Sequence, residues 1–183
     1  KELNIFEEDS AIKEWKDTLP VSEGAVQSGA VRGLSVENDG EEVFTVAYSP
    51  REYKSSFAWW EITAPYPAQT TVNTETLYAL LEQLDGLELA EDDSGKTVQE
   101  TGISNSESYI TIVQSSDEQD AEAASVLRFR IGSSDGNGHV YAAAEGSDAV
   151  GLLPETTVNA LLSVDPYNYI LKIPVLPDIS TVS

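Results

Sequence analysis

Apolar and polar residues alternate in short runs along most of the chain, and two stretches switch to helical spacing. Val31–Val36 ("VRGLSV") alternates, "ENDGEE" interrupts it, and "VFTVAY" resumes at Val43. Asn-Asp-Gly between two β-prone runs predicts a hairpin. "FAWWEITAPYP" reads as another strand, stopped by Pro65 and Pro67. If it is extended, Trp59 and Trp60 point to opposite faces and only one enters a given core. Leu77, Leu80, Leu81 and Leu84 then form an apolar helical stripe. A threonine or Asn73 can cap its start, and Gly86 lies just past its end.

The second half follows the same rhythm. "SYITIV" (108–113) and "VLRFRIG" (126–132) alternate around the acidic "QSSDEQDAEAAS", which reads as a loop or hairpin tip. "SSDGNG" is a turn, and "HVYAAAEGSDAVGLL" reads as two short strands around Gly146. Pro154 and Glu155 suit the first turn of a helix, with Val158, Leu161 and Leu162 on its apolar side. "LELAEDDSGKTVQETG" reads as an exposed connection. The proline-rich tail from Asp165 is expected to be extended, with Ile179–Ser183 the start of a further strand. At the N-terminal end, Ile12, Trp15 and Leu19 within Glu7–Leu19 predict a short amphipathic helix ended by Pro20.

The tetrapeptide "TTVN" occurs at Thr70–Asn73 and again at Thr156–Asn159, each near a strand-to-helix junction. With the order strands, helix, strands, helix, this suggests one unit written twice. The expected fold class is α+β, mainly antiparallel sheet with a helix closing each of two related β-rich units. The expected divisions are an N-terminal segment at 1–29, a first unit at 30–100, and a second unit with an extended tail at 101–183.

Composition changes the picture in one respect. The 183 residues carry 32 acidic against 10 basic side chains, a net charge of −22. Such a field repels nucleic acid and anionic lipid headgroups. The Glu7–Leu19 helix carries Glu7, Glu8, Asp9 and Glu14 where a membrane-surface helix would carry Lys and Arg. Cysteine is absent, which removes disulfides, thiol nucleophiles and thiolate metal sites. No apolar run approaches the roughly 20 residues of a membrane helix. Methionine is absent even at position 1, so we expect a processed or trimmed fragment whose targeting segment lay upstream.

Several strings match a pattern. "WWEITAPYPAQTTVNTETLYALLEQLDGLELA" resembles the bacterial domain-of-unknown-function family numbered four-three-four-zero. Trp60, Ile62 and Pro65 fit its Trp-x-hydrophobic-x-x-Pro strand, and Leu80, Leu81 and Leu84 fit its helix ending. Gly102 and Ile103 fit its turn before a strand, although Thr101 stands where the family has an aromatic residue and the following proline is missing. "LRFRIGSSDGNGHVYAAAEGSDAVGLL" fits the strands that come next. The resemblance runs from about Val31 to the C-terminus. It implies an extracytoplasmic domain on a single N-terminal membrane anchor, in some cases encoded beside ABC-transporter components of the gliding-motility type. It implies no enzymatic activity and no cofactor.

Candidate chemistry is sparse. His139 is the one histidine and has no sequence partners for a triad or a histidine-rich zinc site. "DGNG" at Asp135–Gly138 and "EDDSG" at Glu91–Gly95 lack the spacing of a calcium loop. Asp117, Glu118 and Asp120 cluster as a solvated tip does, and are not opposed across a cleft. No nucleophile elbow or phosphate loop is present. We therefore expect no catalytic, cofactor or metal site and no enzyme. The expected role is an interaction or scaffolding module in a cell-envelope assembly, with a protein partner. The alternative is a small-ligand or glycan-binding domain using exposed aromatics, for which Trp59, Trp60, Tyr66, Tyr167 and Tyr169 are the candidates.

Overall fold

The computed structural model describes residues 15, 19–21, 24–49, 59–66, 70–116 and 124–172. The expected strand at Ile179–Ser183, most of the Glu7–Leu19 helix and the acidic tip at Asp117–Asp120 lie outside them.

The Asn-Asp-Gly signal is a hairpin. β1 (Val31–Asn38) and β2 (Glu41–Tyr48) pair antiparallel, and both turn residues, Asp39 and Gly40, have positive φ. β3 (Trp60–Ala64) follows and stops before Pro65, and β4 (Thr70–Thr71) adds two residues at the edge. Helix α1 (Thr74–Glu82) begins where Asn73 Oδ1 accepts the Thr76 amide at 3.3 Å. β5 (Ala90–Glu91) lies within the segment expected to be a simple connection. β6 (Tyr109–Ser115), β7 (Ala124–Ser134), β8 (His139–Ala144) and β9 (Gly151–Pro154) form a second meander, followed by α2 (Glu155–Leu162).

All nine described strands join one sheet in the order β4-β3-β2-β1-β6-β7-β8-β9-β5. The strand pairs within it are antiparallel. The architecture is α+β. Strands β1–β4 and β6–β9 meet at the central β1–β6 pair, and β5 crosses over to pair with β9. The two TTVN copies are not equivalent in place. Asn73 is the N-cap of α1, whereas Pro154 is the N-cap of α2 and Asn159 sits inside that helix. The tetrapeptide itself therefore does not mark the same junction twice.

Period-2 alternation places Leu34, Val36, Phe44, Val46, Ile62, Ile110, Ile112, Phe129 and Leu153 on one face. There they pack with Leu77, Leu80, Leu81 and Leu84 from α1 and its exit, and with Val158 and Leu161 from α2. The four leucines of the first stripe are at most 5% exposed.

The opposite face is also covered, but its middle is polar. Registered pairing lines up Thr45, Ser35, Thr111 and Arg128 across four strands, all buried. A neighbouring row runs Glu37, Tyr109, Arg130, Ala143. Trp15 and Leu19 pack beside these rows on Val113, Ala124 and Val126. Gly33 permits the Trp15 approach, because a Cβ there would sit 2.7 Å from the indole ring.

Candidate functional site

At the β2–β3 end, the helix-bearing face opens into a cleft of about 340 Å³. Four segments distant in sequence form it: the 3-10 turn Ser28–Ala30 with β1, β2, β3 and α1. Arg32 leaves β1 with its guanidinium fixed by the carbonyls of Gly29 (2.9 Å) and Val31 (2.8 Å). It lies 5.4 Å from the centroid of the Tyr48 ring, within the range of a cation–π contact. Tyr48 pairs with Trp60 across β2 and β3, and their rings sit 5.3 Å apart. Tyr78 stands on the outward side of α1, half exposed, one position after the buried Leu77. Leu81 and Glu82 from the next turn complete the wall. Trp60 is 2% exposed, and its Nε1–H has no hydrogen-bond partner among the described residues.

The five aromatic candidates separate. Trp60 lines the cleft, and Trp59 meets the same Tyr48 edge-on at 5.9 Å. Tyr66 packs against the main core. Tyr169 is half-buried against Phe44 at 5.0 Å, and that burial raises its hydroxyl pKa. Tyr167 is exposed elsewhere, with Lys172 Nζ 4.0 Å above its ring. Only the two tryptophans come together. Sequence reading missed Arg32, Tyr48 and Tyr78, which complete the cleft. The available signal was an arginine on a strand of a chain with so few cations, paired in register with a tyrosine-ended strand.

The second face holds the other concentration of charge. Arg128 donates to both Glu37 oxygens at 2.9 and 3.0 Å and to Thr111 Oγ1 at 2.7 Å, and pairs with Glu145 at 3.1 Å. Its guanidinium lies 4.0 Å from the Tyr109 ring centroid. This bidentate pairing satisfies a cation that would otherwise be costly to bury.

Among the described residues, no group of three or more His, Asp or Glu side chains could hold a metal ion. Asp135 Oδ1 instead accepts the amides of Asn137 and His139 at 2.7 and 2.9 Å. Those backbone bonds lower the Asp135 carboxyl pKa. His139 Nδ1 lies 3.6 Å from the other Asp135 oxygen. Asp92 accepts the Ser94 amide within its own turn. No described helix is long and apolar enough to cross a membrane.

A family model described as "Domain of unknown function (DUF4340)" matches residues 60–165. No curated protein and no solved structure matches the chain.

Proposed function

Since the chain belongs to the DUF4340 family of unknown function, we propose that it is a non-enzymatic, extracytoplasmic interaction module, anchored in the full-length protein and serving a transporter-linked cell-envelope assembly. The family resemblance supports the location and the context. The observation that carries the interaction role is the cleft of Arg32, Tyr48, Trp60 and Tyr78. Trp, Tyr and Arg are the residues that dominate protein-binding hot spots. They present large, rigid contact area, and here a half-exposed tyrosine and a buried tryptophan line one cleft. We also take the two meander-plus-helix halves as copies of one unit. Their matched element order on either side of the β1–β6 pair supports this.

The test uses envelope membranes of the source strain and the soluble domain. Tyr78→Ala and Arg32→Ala should each weaken binding about tenfold or more, while Asn137→Ala on the far turn leaves it unchanged. Equal binding by all three variants would refute the proposal.

Glycan or small-ligand binding is the second reading. The unpartnered Trp60 Nε1–H beside the cleft favours it, because a bound hydroxyl could accept that hydrogen bond. Saturable quenching of tryptophan fluorescence by a soluble oligosaccharide, lost in Trp60→Phe, would favour it over a protein partner.

A further inference from the structure

The second face carries a cleft of about 380 Å³ at the β6–β7–β8 end, roofed by the loops at 98–104 and 145–148. Gly132 lets the first loop close down, since a Cβ there would lie 2.5 Å from the Thr101 carbonyl oxygen and 2.7 Å from Ile103 Cγ1. Ser133 fixes the loop by donating its amide and its hydroxyl to that carbonyl, both at 2.9 Å. The apolar part of the lining includes Ile103 and Ala143.

Three charged side chains line this cleft: Arg130, Asp148 and Glu145, and Glu145 is paired with Arg128. Arg130 is half-buried, and its Nε and Nη2 donate to the Tyr109 hydroxyl. It has no carboxylate partner among the described residues, and its remaining N–H groups are unspent. Asp148 is exposed on the opposite loop and has no cationic partner among the described residues either. The two line the same space without pairing with one another. The chain carries 32 acidic side chains, and Arg130 pairs with none of the described ones. Arg128, two residues away on the same face, pairs with two.

We infer that this cleft binds a small zwitterion, a free amino acid or a short peptide, with its carboxylate on Arg130 and its ammonium on Asp148. A bare anion is disfavoured by Asp148 and Glu145 on the rim and by the net charge of −22. A bare cation meets Arg130. A ligand carrying both charges satisfies both groups, and the unspent guanidinium fork matches the two oxygens of a carboxylate.

Calorimetric titration with alanine and with alanyl-alanine tests the inference and separates the two sources. At least one should bind saturably at millimolar concentration. Blocking one charge, as N-acetylalanine or alanine amide for the amino acid and as the N-acetylated or C-amidated dipeptide, should cost about tenfold. Arg130→Gln and Asp148→Asn should each cost as much. If Arg130→Gln does not fold, Asp148→Asn at its exposed loop position carries the comparison. Absence of saturable binding by both probes overturns the inference. So does equal binding of N-acetylalanine and alanine, which would mark a plain carboxylate site, or undiminished binding by Asp148→Asn.

Discussion

Leu81 is 3% exposed between α1 and the sheet, and the methyl groups beyond its Cβ have nothing to replace them. Leu81→Ala should cost about 2–5 kcal/mol, read from chemical denaturation; a loss below roughly half a kcal/mol would place the side chain outside the core. Glu37 belongs to a different kind of burial. Replacing it with Gln leaves the nearly buried Arg128 guanidinium with Glu145 as its remaining carboxylate partner. Destabilisation of about 3 kcal/mol is expected, and a double-mutant cycle with Arg128→Met should show strong coupling. Asp85 acts through its charge. It accepts the Ser28 amide at 2.9 Å, and this bond lowers its pKa below the ordinary value. The folded state then binds fewer protons than the unfolded chain, so this contribution is present above about pH 3.9 and is lost as pH falls through the lowered folded value. In Asp85→Asn that acid-sensitive part should disappear from the pH–stability curve below about pH 4. An unchanged curve would contradict it.

The elements with strong periodicity were legible in the sequence. The leucine stripe fixed α1, Asn-Asp-Gly fixed the first hairpin, and clean alternation fixed β6 and β7. β5 was not legible, because Ala90 and Glu91 are both exposed and show no alternation. Its strand state comes from pairing with β9. The buried polar rows were hidden for a related reason: Ser35, Thr45 and Thr111 occupy alternating positions that read as solvent-facing. The repeated TTVN had the right surroundings but the wrong register. This yields a comparison between helices. Asn73→Ala removes the cap of α1 and should cost about 1 kcal/mol. Asn159→Ala, exposed inside α2, should be neutral or stabilising by a few tenths of a kcal/mol. Equal losses in thermal denaturation would mean that the two copies do the same work after all.

At the scale of the molecule, α1 and α2 pack on one face of the sheet, and one cleft opens at the β2–β3 end and another at the β6–β7–β8 end. Among the described residues, the sheet order ends in two short strands, β4 and β5 with two residues each, and the longer strands lie between them. The candidate site was half legible: aromatic composition pointed to Trp60, which lines the cleft, but Arg32, Tyr48 and Tyr78 reach the same place only because the strand order sets β2 between β1 and β3, with α1 packed on that face. The most direct measurement of the proposed docking role is site-specific photocrosslinking in intact cells of the source strain, with a benzophenone side chain placed at Tyr78 and, separately, at Asn137. A single discrete adduct from position 78, lost when Arg32 is changed to Ala and absent from position 137, is the expected result. No adduct at position 78, or the same adducts from both positions, would contradict it.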